Sequence, residues 1–116
     1  MMDKNNPLYS KADILAKQVY KVALNFPKHE MYGLTSQLRR AVLSVVLNII
    51  EGFARQSKAE FRRFLLISFG SLEETRYILE FSLEQKYLTN KQYDAFIKLV
   101  DEVAKIIWSI TRKNKE

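Results

Sequence analysis

The stretch 34–54, LTSQLRRAVLSVVLNIIEGFA, constrains the fold more than any other part of the chain. Gln37, Arg40, Ser44, Asn48, Glu51 and Arg55 recur at steps of three or four, so in a helix they stack into one narrow polar line. Leu38, Ala41, Val42, Leu43, Val45, Val46, Leu47, Ile49, Ile50 and Phe53 fill most of the remaining circumference. A helix on the outside of a monomeric bundle needs an apolar face covering about a third of its surface, and this one carries roughly twice that. Such a helix is either the central element of its own subunit or is also covered by a second subunit.

The rest of the chain supplies partners of the same kind. The spacing predicts a helix over 11–25, with Ala12, Leu15, Ala16, Val19, Val22 and Ala23 on one stripe and a capping-box-like Ser10 and Asp13 at its start. Residues 1–7 read as extended, and Pro27 stops the first helix. Thr35 or Ser36 is expected to cap the second helix, over 35–54. Ser57 with Glu60 opens a third over 58–86, and Thr89 with Gln92 opens a fourth over 91–112. Gly52 and Gly70 fall inside helices, where glycine is unfavourable unless a neighbouring backbone packs closely. The tail 113–116 is expected to be loose. With only three glycines and two prolines in 116 residues there is little turn material for a sandwich or barrel. The expectation is one all-α domain over 1–116, an antiparallel up-down-up-down four-helix bundle.

Chemistry is sparse. There is no cysteine, so neither disulfides nor thiolate metal sites arise. The sole histidine, His29, sits in a loop beside Glu30, and no Glu-x-x-His pair exists for a carboxylate-bridged metal centre. Glu73 and Glu74 are adjacent and diverge by about 100° on a helix, so they do not form an acid–base pair. We expect no catalytic, metal or cofactor site. The polar line of the second helix, facing Ser71 and Glu74 of the third, reads as a structural network; if it is buried, losing Arg40 or Glu51 costs about 1–3 kcal/mol.

A net charge of +6 favours an anionic partner. The residues best placed to meet phosphates are Arg39, expected to be more exposed than Arg40, then Lys58, Arg62 and Arg63, and the stripe Lys91, Lys98, Lys105 and Arg112. Trp108 and Tyr87 read first as packing residues, with base stacking as the alternative. No signal peptide or membrane-spanning run is evident, which points to the cytoplasm.

Gly33-Leu34-Thr35-Ser36-Gln37-Leu38-Arg39-Arg40-Ala41, Ser44, Asn48-Ile49, Glu51-Gly52-Phe53, Arg55 and Gly70-Ser71-Leu72-Glu73-Glu74, preceded by Phe26-Pro27 and Glu30, resemble the four helix bundle protein family. That family is also called the 23S rRNA intervening-sequence protein family. Val46-Leu47 and Ile50 are bulkier than the small residues expected there. The resemblance implies a ring-shaped homo-oligomer, commonly a pentamer, related to the accessory protein of diversity-generating retroelements. It also implies association with nucleic acid rather than a constitutive place in the ribosome. The alternative expectation is a scaffold or accessory subunit that binds an acidic protein partner.

Overall fold

The computed structural model describes residues 3–113. Four α-helices, α1 Pro7–Ala23, α2 Leu34–Ala54, α3 Lys58–Glu84 and α4 Asn90–Lys113, enclose one core, and the described residues contain no strand. Each helix packs closely against the next in sequence, α4 closes back onto α1, and the backbones of the two diagonal pairs stand farther apart. The body measures 43 × 24 × 24 Å. Its centre is built from Leu15, Val19, Leu38, Val42, Val45, Ile49, Leu65, Leu72, Leu79, Val100, Val103 and Ile107.

The first helix begins four residues earlier than expected. Asn6 is its N-cap, accepting from the backbone N–H groups of Leu8 and Tyr9 through its side-chain oxygen, and Pro7 is the first helical residue. Proline suits that position because its missing N–H is not needed there. Pro7 therefore starts the helix rather than preceding it, and Ser10 and Asp13 lie inside it. The helix also ends two residues before the expected boundary, with Leu24 as C-cap. Of the expected loose tail 113–116, Lys113 is instead the last residue of α4, and 114–116 lie outside the described residues.

The second helix is not capped by Thr35 or Ser36. Gly33 occupies the N-cap without a side-chain bond, and Glu30, in a short 3-10 turn over Lys28–Glu30, reaches forward so that Oε1 accepts the Leu34 N–H at 3.2 Å. Glu30 Oε2 accepts from the Tyr87 hydroxyl at 2.9 Å, tying the turn before α2 to the turn after α3. These bonds hold the Glu30 carboxyl below its ordinary value, the Leu34 N–H first and the Tyr87 hydroxyl second.

Small residues bring α2 and α3 together. A Cβ on Gly52 would lie 3.3 Å from the Phe61 carbonyl oxygen and 3.3 Å from the Phe64 Cβ, so here the glycine does permit a close approach. Gly70 does not: an added Cβ there meets nothing within 4 Å. Ser68, Ser71, Thr75 and Ser82 lie on the buried face of α3 itself rather than beside it. Ser68 donates across to the Val45 carbonyl at 2.8 Å, while Thr75 and Ser82 donate back one turn along their own helix.

Between α3 and α4 the chain turns through Lys86, whose φ of 67° is left-handed. The Lys86 N–H bonds to the Leu83 carbonyl and the Tyr87 N–H to the Ser82 carbonyl, the paired bonds of a Schellman C-cap. Thr89 and Gln92 then form a complete capping box, each side chain accepting the other's backbone N–H. At the start of α3 only half of the expected box forms. Ser57 accepts from the Glu60 N–H, but the Glu60 side chain pairs with Arg63 instead.

Candidate nucleic-acid interface

Charge is unevenly distributed along α3 and α4. Residues 52–72 carry Arg55, Lys58, Arg62 and Arg63 against the single acid Glu60, and residues 103–113 carry Lys105, Arg112 and Lys113 against none. The fold brings these two segments together: Arg62 Nε donates to the Thr111 carbonyl at 3.0 Å, so the second turn of α3 lies beside the last turn of α4. Arg55 and Arg63 both lie over the Phe64 ring, at 4.7 and 4.5 Å from its centroid. Their guanidinium charges are moderated by Glu51 and Glu60, at 2.8 and 3.1 Å. Further along α3, residues 73–84 bring Glu73, Glu74, Glu80 and Glu84 against Arg76 alone.

The α4 stripe is heterogeneous. Lys91, Lys98 and Lys105 are all exposed, as expected. Asp94 stands three residues after Lys91 and Asp101 three after Lys98, so acids interleave with the first two lysines on the same face. Asp101 also pairs with Arg76 at 2.8 Å, drawing that half of the stripe into a surface network with Glu73. Only the third repeat lacks an acid. There, Trp108 takes the position that aspartate holds in the other two.

Trp108 is 59% exposed, so it is not part of the subunit's own core. The Arg112 guanidinium lies 5.6 Å from its ring centroid. With Ser109 and Lys113 these residues line a shallow recess of about 430 Å³. The signal was present in the spacing, since Trp108 falls between Lys105 and Arg112 on the charged stripe and off the line Phe96, Val100, Val103, Ile107. Tyr87 is half-buried, packed against Phe26 with ring centroids 5.4 Å apart.

Arg39 is the clearest departure from expectation. It is half-buried, while Arg40 is exposed. The Arg39 guanidinium lies 4.4 Å from the Tyr20 ring centroid and donates to the Tyr20 carbonyl at 3.2 Å, which holds it against α1. Its Nε is buried without a hydrogen-bond partner. Arg39 therefore joins α2 to α1 and is separated from the basic end.

The polar line of α2 divides into a joined centre and exposed ends. Ser44 and Ser71 share a hydrogen bond of 2.8 Å, and Asn48 Nδ2 donates to both the hydroxyl and the carbonyl of Ser44. Gln37, Arg40, Glu51 and Arg55 are exposed, with Arg40 donating to Gln37 at 3.2 Å. Glu74 is exposed too, on the rim of an open cleft of about 550 Å³ that α2 and α3 form with Arg40, Ser44, Gly70, Glu73 and Tyr77. No three His, Cys, Asp or Glu residues converge to hold a metal ion among the described residues. No helix in that range is long and apolar enough to cross a membrane.

The outer face of α2 remains open. Leu43, Leu47 and Ile50, one helical turn apart in succession, are 41%, 53% and 40% exposed. The surplus apolar circumference legible in the sequence is thus uncovered in the isolated subunit.

Four helices around a single core, with cations where α3 meets α4 and an uncovered apolar face on α2, define a small all-helical bundle protein. The chain is a member of the 23S rRNA-intervening sequence protein family, whose model matches residues 4–109. Its fold is similar to that of a crystallised protein of unknown function from the S23 ribosomal protein family of Bacteroides thetaiotaomicron VPI-5482. The two share 26% identity and a TM-score of 0.86, over 95% of this chain and 99% of the other. No protein of curated description matches the chain.

Proposed function

We propose that the protein is a non-enzymatic, cytoplasmic RNA-binding module that works as a ring of identical subunits, most simply a pentamer. The observation that carries the RNA-binding reading is the basic end, where Lys58, Arg62, Arg63, Arg112 and Lys113 meet against a single carboxylate, Glu60, which is paired with Arg63. Such a surface holds phosphates with little choice of sequence, and repetition around a ring multiplies its field. Membership of a family named for intervening sequences in ribosomal RNA is in keeping with an RNA partner.

One further feature supports the assembly and another the course of the helices. The stripe Leu43, Leu47 and Ile50 has the spacing and exposure of a helix–helix contact surface. An alternating up-down-up-down course is supported by paired positions. Arg62 meets Thr111 while Arg76 meets Asp101, and Ser44 meets Ser71 while Gly52 meets Phe61.

Filter binding of ribosomal RNA fragments across a salt series tests the function. Log affinity should fall linearly with log salt, and each of Lys58→Gln, Lys105→Gln and Arg112→Gln should lower the slope by about 0.7–0.9. Absent or salt-independent binding overturns the proposal. Co-purification of an acidic protein that survives nuclease treatment would assign the basic end to a protein partner instead.

A further inference from the structure

We infer that Trp108 and Arg112 form a stacking site for an unpaired base, so that the partner engaged at the basic end is single-stranded RNA or the loop of a folded one. The inference rests on the RNA-binding reading and adds to it the form of the ligand. Three observations carry it. The heptad Lys-x-x-Asp, Lys-x-x-Asp, Lys-x-x-Trp replaces an acid with an indole only where the stripe reaches the basic end. The indole is 59% exposed, although a tryptophan in a helical protein of this size gains most by being covered. Its immediate neighbours are a guanidinium at 5.6 Å, Ser109 and Lys113 around an open recess, and Arg62 is held one turn away by the Thr111 carbonyl.

A flat aromatic ringed by cations fits a nucleotide better than an apolar partner. The base lies on the indole, while Arg112, Lys113 and Arg62 are positioned for the flanking phosphates. A duplex presents its bases already stacked and leaves the indole no free face to cover. The lysines explain affinity for either form of RNA; the indole discriminates between them.

Trp108 is the only tryptophan in the chain, so its fluorescence reports on this site alone. A labelled oligouridylate and a blunt RNA duplex of equal length are titrated into the intact protein at low salt, following label anisotropy and tryptophan emission together. Both ligands should raise the anisotropy, but only the oligouridylate should quench Trp108. Trp108→Ala should weaken oligouridylate binding by about 5- to 100-fold and duplex binding by less than about twofold, and Trp108→Phe should recover much of the loss. Oligouridylate binding with unquenched Trp108 and an unaffected Trp108→Ala overturns this inference and leaves the RNA-binding reading standing. Failure of both ligands to bind overturns both. A Trp108→Ala variant that sediments as a smaller species would make Trp108 a contact between copies, which also overturns the stacking site.

Discussion

Across the seam between α2 and α3 the hydroxyl oxygens of Ser44 and Ser71 lie 2.8 Å apart, one donating to the other. The bond sits in a semi-buried setting with Asn48 as a third member. Each of Ser44→Ala and Ser71→Ala should lower stability by about 1 kcal/mol in urea unfolding at fixed protein concentration. The double variant should cost less than the sum, because both single changes remove the same bond. Arg40→Ala and Glu51→Ala, by contrast, should shift stability by no more than about 0.5 kcal/mol, since both side chains are exposed.

Gly52 and Gly70 should respond in opposite directions to the same substitution. Gly70→Ala adds a Cβ into open space within a helix and should stabilise by about 0.5–1 kcal/mol. Gly52→Ala presses a Cβ against the α3 backbone at Phe61, so the intrinsic helical gain is offset and the net effect falls below that of Gly70→Ala. Thermal unfolding of both variants side by side decides the point.

Lys86 holds a left-handed conformation that glycine adopts without a Cβ penalty. Lys86→Gly should therefore raise stability by up to about 1 kcal/mol. Circular dichroism melts at matched concentration measure it.

Glu30 links two turns through hydrogen bonds from the Leu34 N–H and the Tyr87 hydroxyl, which lower its carboxyl pKa. A group whose folded pKa is depressed contributes stability above its unfolded pKa and loses it as pH falls through the folded value. Stability should therefore decline as pH drops below about 4.5, the ordinary glutamate value, and Glu30→Gln should flatten that part of the profile. Tyr87→Phe, which removes the hydroxyl donating to Glu30, should flatten it in part.

Leu43→Glu and Leu47→Glu separate the fold from the assembly. Both positions are exposed in the subunit, so helix content should stay at the wild-type level. Sedimentation should shift towards the 13.7 kDa single chain. A wild-type protein that already sediments at that mass removes the ring.

The sequence made the helices legible because apolar spacing and caps agree along most of the chain. Thr89 with Gln92 is an example, both halves of the box forming as written. It misled at Pro7, since a proline near a boundary suits either side of it; the Asn6 side chain decided the matter. Glu30 was hidden as a cap for α2 because it acts from outside the helix, across a 3-10 turn. Arg39 and Arg40 were interchanged for a similar reason: which neighbour faces outward depends on where α1 lies, and Tyr20 is nineteen positions away in sequence. At the basic end, the charges were legible one by one. Their meeting was not, because it depends on α3 starting where α4 finishes.

The meeting of α3 and α4 cations also has a kinetic consequence. A chain with a net charge of +6 attracts a polyanion before contact, and the local cluster of Arg62, Arg112 and Lys113 gives that attraction a place to end. Added salt should therefore slow capture as well as weaken holding, because it shortens the reach of the field.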